Sequence, residues 1–280
     1  MSSAVGNTRE VGGAATDTAL PSAGAGAGGA ILRDIARGGI AGVLTGALVG
    51  GLGGRVVMRA AALVVPGSTG RFTENGNVIG DITLAGSLGL VAFGLFAGLF
   101  IGAFWVAVAP WIPGTGVRRA LATMPIALAM GGVGLVEGDN SDFHVLHNNL
   151  LVVVLLLGLV AAAGFVVALV DDALDRRLPR VAGARRSVVV TYAVLAGIGA
   201  VFTLPILAGG LFGGDLPRVA MGFALLVTGG ATVAWWWQRR DGLAAPSDRL
   251  TLVARLGLVV VVVFGLVDLL PEVREALRLI

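Results

Sequence analysis

Both histidines of this chain fall in one short polar run that includes Glu137, Asp139, Ser141, Asp142, His144 and His147. If Ser141 caps a helix starting here, His144 and His147 stand three residues apart on one face, beside Asp142 and Glu137. Two imidazoles and two carboxylates at that spacing can hold zinc or another borderline divalent ion. The pattern is looser than H-E-x-x-H, and its plain alternative is an interfacial helix start with solvated imidazoles. Glu137, Asp142, His144 and His147 are therefore the candidate metal ligands.

Arg55 and Arg59 form the second candidate set. They lie four residues apart on one helix face, in a stretch that is otherwise apolar. Counted from Gly38 at 1.5 Å per residue, they stand about 26 and 32 Å along the helix, near the far boundary of a hydrocarbon layer about 30 Å thick. An arginine there either snorkels to the interface or is paired. Glu74, Asp81, Asp139 and Asp268 are the candidate partners, with Glu137 and Asp142 close by, because all fall on the same expected side. Such a cluster could close the bundle or bind an anion, and structural ion pairing is the simpler role.

Much other chemistry is excluded. The chain has no Cys, and its 20 basic residues are all Arg. Without Cys there are no disulfides, thiolate metal sites, iron-sulfur clusters or cysteine nucleophiles. Without Lys there is no retinal Schiff base, so seven helices here would not mean a rhodopsin. Gly24 to Gly29 formally match G-x-G-x-x-G, but no strand precedes them. The net charge of +3 and the scattered arginines give no nucleic-acid site. No catalytic motif stands out, no cofactor is required by the sequence, and the reading leans against an enzyme. Hydrophobic stretches carry no ionisable group clearly at their middle, which counts against an ion-driven carrier. Pro205, beside Thr203 and ahead of Gly209 and Gly210, could break its helix and expose carbonyls to a substrate, or simply kink it.

The elements that must position these residues are set by hydropathy. Of 280 residues, 56% are hydrophobic and 13% charged, too much apolar surface for a water-soluble fold of this length to hide. Hydrophobic stretches run at about 38–62, 83–109, 120–136, 149–170, 188–212, 219–237 and 252–270. Most exceed the roughly 18 residues that a membrane crossing needs; the third is the shortest, with Pro125 near its start. Backbone polar groups in lipid must bond within their own segment, and no barrel-like alternation is present. The expected fold is an all-α polytopic bundle of about seven transmembrane helices. Residues 1–30 read as a disordered tail without a signal peptide, and 31–280 as one transmembrane domain.

Arginines concentrate in alternate loops: Arg9, Arg33 and Arg37; Arg118 and Arg119; Arg176, Arg177, Arg180, Arg185 and Arg186; Arg239, Arg240 and Arg249. The opposite loops and the C-terminal tail hold only Arg71, Arg218, Arg274 and Arg278. The positive-inside rule places the N-terminus in the cytoplasm and the C-terminus outside. Trp105, Trp111, Trp235, Trp236 and Trp237 all precede the arginine-rich loops and would form an aromatic belt at the inner interface.

Glycine supplies the packing signal. Gly38, Gly42, Gly46, Gly50 and Gly54 recur every fourth residue, and so do Gly94, Gly98 and Gly102. Each row makes a smooth groove that a neighbouring backbone can approach closely. Tight helix packing is the expected role; the functional alternative is that glycine zippers let helices slide or line a narrow pathway. A faint echo between Gly50–Met58 and Gly209–Met221 fits a parallel repeat, or low-complexity coincidence.

The run from Arg71 to Gly86, the Gly-rich stretch after it, and Glu137 to Phe143 resemble segments of uncharacterised multi-pass membrane proteins of high-GC bacteria. The resemblance covers roughly residues 40–170. It implies a bacterial cytoplasmic membrane location and a multi-pass topology, and supplies no activity. Three functional classes stay open: permeation or transport of a small solute or ion, a membrane metalloprotein using residues 137–148, and a non-catalytic assembly subunit. The implied partners are the lipid bilayer and a second copy or another membrane protein.

Overall fold

The structure, a computed structural model, describes residues 23–64, 70, 84–136, 149–179, 186–212, 216–240 and 245–278. Among them the regular secondary structure is all helical, with no strand. Helix α1 (Ala23–Thr45) runs through a π-helical stretch (Gly46–Gly53) into α2 (Gly54–Val64), making one long rod. Then come α3 (Leu84–Val108) with a 3-10 turn at Ala109–Trp111, α4 (Gly116–Gly131), α5 (Asn149–Arg177), α6 (Arg186–Phe212), α7 (Leu216–Arg240) and α8 (Asp248–Arg278). The expected stretches overlap these helices, the third running past Gly131, where α4 ends. Among the described residues, five helices are long and apolar enough to cross a membrane: Gly28–Val64, Leu84–Trp111, Leu150–Arg177, Leu216–Arg240 and Asp248–Arg278. Arg186–Gly199 of α6 is a shorter apolar helix, and α4 has 16 residues. Helix α6 continues through Pro205, so the proline does not end it.

Residue contacts run in opposite directions along three helix pairs, from Gly38 with Gly102 to Gly46 with Gly94, from Gly131 with Val160 to Ala127 with Gly164, and from Arg218 with Asp268 to Thr228 with Gly257, so each pair is antiparallel. The α1 rod packs along α3, α4 against α5, and α7 against α8, while α4 also runs parallel to α8. Small residues set these contacts. A Cβ on Gly98 would stand 2.6 Å from the Gly42 carbonyl, and one on Gly102 would stand 2.9 Å from that of Gly38. Gly42 and Gly46 are equally tight, their missing Cβ positions being taken by the backbones of Gly102 and Gly94.

The five-glycine row does not run in register to its end. A Cβ on Gly50 would reach Gly94 at 3.4 Å, and one on Gly54 would meet nothing within 4 Å. The physical cause is the π-helical stretch, whose hydrogen bonds span one residue more than those of an α-helix and so turn the following face. The contact passes to Gly51, where a Cβ would lie 2.9 Å from the Val91 Cα.

The larger buried core gathers where α3 ends and α8 begins, around Trp105, Val108, Trp111, Ile126, Val167 and Leu258. A second core, of Ala61, Val136, Val152, Val153, Leu269 and Ala276, joins α2 and the far ends of α4 and α8. Outside, Leu48, Leu52, Val56, Phe93, Val154, Phe223 and Val259 are among many exposed apolar side chains, as lipid-facing surfaces require.

The tryptophans share one end, as expected, but they do not form a surface belt. Trp105 and Trp111 are buried, and of the five only Trp237 is exposed, with the Arg240 guanidinium 5.3 Å from its ring. Trp111 Nε1 donates to Thr232 Oγ1 at 2.8 Å, and that hydroxyl donates to the Ala107 carbonyl at 2.6 Å. Because both polar groups are removed from water, Trp111→Phe should cost about 1–2 kcal/mol, read as a lower midpoint in thermal unfolding from detergent.

Candidate functional site

The strongest constellation lies at the arginine-rich end of the bundle. Arg33 and Arg37 are one helical turn apart in the middle of α1, and Asp171 and Asp175 are one turn apart near the end of α5. The two helices run in opposite directions, so the ladders mesh. Arg33 Nη1 donates to Asp175 Oδ1 at 2.9 Å, Arg37 Nε lies 2.8 Å from Asp171 Oδ1, and Arg37 Nη1 also reaches Asp175. Arg33 Nη2 donates to the Asp175 carbonyl at 2.7 Å, covering a helix-end acceptor that has no partner within α5.

Helix α4 adds a third arginine. Arg119 Nη1 donates to Asp171 Oδ2 at 3.1 Å and to Asp172 Oδ1 at 2.8 Å, Nη2 donates to the Ala109 carbonyl at 2.8 Å, and the guanidinium lies 4.8 Å from the Trp105 ring. The other Asp172 oxygen accepts from the Gly116 N–H at 2.7 Å, placing an anion on the positive N-terminus of α4. The tight turn leading there needs left-handed backbone at Gly114 and Gly116, with φ of +92° and +57°. Helix α7 closes the fourth side, where Arg239 Nη1 donates to Asp34 Oδ2 at 2.6 Å.

Asp171, only 1% exposed, thus ties α1, α4 and α5 together from inside the protein. A carboxylate so removed from water is held by two guanidinia, and deleting any one member would leave a buried charge one partner short. Around the network lies a cleft of about 360 Å³, walled also by Trp105, Pro110, Trp235 and Trp236. That is the size range of small-molecule sites.

The residues expected from sequence to carry chemistry stand elsewhere. Glu137, Asp142, His144 and His147 lie outside the described residues, as do Glu74, Asp81 and Asp139. Among the described residues no group of three or more His, Asp or Glu side chains is placed to hold a metal ion. Arg55 is half-buried and Arg59 exposed on α2, at the end of the bundle opposite the cleft. Asp268, also at that opposite end, accepts from Arg218 Nε at 2.9 Å, with Glu272 3.6 Å from the same arginine.

In the loop pattern Arg33, Arg37, Arg119 and Arg239 serve only as topology markers, and Asp34, Asp171, Asp172 and Asp175 play no part. A signal was available. Three aspartates near the C-terminal end of α5 oppose the helix dipole, which favours cations there. Acids in that position need cations from other helices.

Long apolar helices with an apolar exterior and an ionic network inside define a helical membrane protein. The chain matches no protein-family model, no curated protein and no solved structure.

Proposed function

We propose that the protein is a membrane transport or permeation protein for a small solute or ion, set with its arginine-rich end in the cytoplasm of a bacterial cell membrane. The ionic network is its closed gate. The observation that carries this reading is the placement of ion pairs from α1, α4, α5 and α7 around one cleft, instead of on separate solvated loops. Ion pairs are directional and reversible, so such a ring holds helix ends together until competing charge or water separates them. The glycine zipper of α1 and α3 supports the same reading: backbone against backbone, without interlocking side chains, permits small sliding.

Flux through proteoliposomes tests it, with a panel of small anions, cations and neutral solutes. Wild-type vesicles should pass one class faster than empty vesicles. Loosening the half-exposed rim pair by Arg239→Gln with Asp34→Asn should raise the basal rate for that class severalfold. Flux equal to that of empty vesicles across the whole panel, for both proteins, would reject transport in favour of an assembly subunit.

A further inference from the structure

A second cavity adjoins the ionic cleft. It is an apolar groove of about 490 Å³ formed by α1, α3 and α6. Leu44 and Ile198, both exposed on the outside of the bundle, line it, so the groove lies on the lipid-facing surface. Val106 and Trp236 belong to the walls of both cavities, which makes the polar cleft and the apolar groove contiguous. Along α1 the groove extends from Ile35 to Leu44. At 1.5 Å per residue this is about 14 Å, close to the roughly 15 Å depth of one leaflet's hydrocarbon.

The cleft offers more donors than its own carboxylates use. Guanidinia of Arg33, Arg37, Arg119 and Arg239 line the cleft with the carboxylates of Asp34, Asp171 and Asp175, and Asp172 pairs with Arg119 from outside the lining. In addition, Arg33 Nε and the indole N–H groups of Trp105 and Trp235 are buried and have no acceptor. A group rich in acceptor oxygens, such as a phosphate ester, suits that surplus.

We propose that cleft and groove together bind one anionic glycerophospholipid from the leaflet on the arginine-rich side. Its phosphate lies at the mouth of the cleft beside Arg33 and Arg239, and an acyl chain lies along the groove against α1, α3 and α6. The two chemistries are adjacent, in the order in which a lipid presents them, and the groove has the length of one leaflet. This goes beyond gating, because such a lipid would bind whether or not a solute crosses.

Native mass spectrometry on the full chain in detergent tests the proposal, with phosphatidylglycerol, phosphatidylcholine of the same acyl chains, and inorganic phosphate as separate probes. Phosphatidylglycerol should bind tightest. Arg33→Gln with Arg239→Gln should weaken it roughly 25-fold, at about fivefold for each arginine, while phosphatidylcholine changes little. Gly199→Leu puts a side chain into the groove from a position where the Cβ itself meets nothing within 4 Å, and should weaken both lipids. Equal binding of the two lipids by the wild type, inorganic phosphate bound as tightly as phosphatidylglycerol, or an unchanged lipid affinity in Gly199→Leu would each overturn it.

Discussion

Replacing Asp171 with Ala is expected to lower stability by about 3–5 kcal/mol, the usual cost of removing one partner from a buried ion pair. The substitution removes the carboxylate that Arg37 and Arg119 both address and leaves each of these guanidinia, 18% and 12% exposed, with one acidic partner, Asp175 and Asp172. Asp175→Ala removes a group that also meets two arginines, but its side chain is 52% exposed, so water screens the loss. That variant should cost about 1 kcal/mol or less. The difference between the two separates burial from ion-pair counting, because each aspartate engages two arginines. Thermal unfolding in one detergent, followed by tryptophan fluorescence, reads both. If Asp171→Ala unfolds at the wild-type midpoint, the network is not holding the helix ends.

The second large effect is a reversal of sign within a single row of glycines. Gly42→Ala should destabilise, and Gly54→Ala should stabilise by about 0.5–1 kcal/mol. Both changes gain the same helix propensity, worth about 1 kcal/mol in favour of Ala. At Gly42 the added methyl has no room, because the backbone of Gly102 occupies its place. Overpacking of that kind costs about 1–3 kcal/mol, and here rigid backbone must move, so the upper end applies and packing wins. At Gly54 the methyl meets nothing within 4 Å and propensity alone acts. Two shifts of equal sign in thermal midpoint would show that the π-helical stretch does not turn the glycine face as described.

The helices themselves were legible because hydropathy and span length act locally. A run such as Leu150–Arg177 can satisfy its backbone in lipid only as a helix, whatever its neighbours do. The tight contact of Gly38, Gly42 and Gly46 with Gly94, Gly98 and Gly102 was legible for the same reason, since i,i+4 spacing puts small residues on one face. The row failed at Gly50 and Gly54 because a π-helical stretch changes the spacing that the inference assumes. Trp105 and Trp111 lie at the end that hydropathy predicts but are buried there, since sequence position fixes height along a helix and leaves rotation about its axis open.

The ionic cleft is the clearest case of that division. Composition and periodicity by themselves determined that the chain is a helical membrane protein and that its arginines gather at alternate helix ends. The four-residue spacing of Arg33 with Arg37, and of Asp171 with Asp175, puts each pair on one helix face, which the loop pattern of arginines left unused. Only the tertiary structure decided that these faces meet, with Arg119 and Arg239 arriving from two further helices. Pairing across 134 residues (Arg37 to Asp171) to 142 (Arg33 to Asp175) depends on how whole helices rotate and pack, and that choice is made by many weak contacts distributed over the bundle.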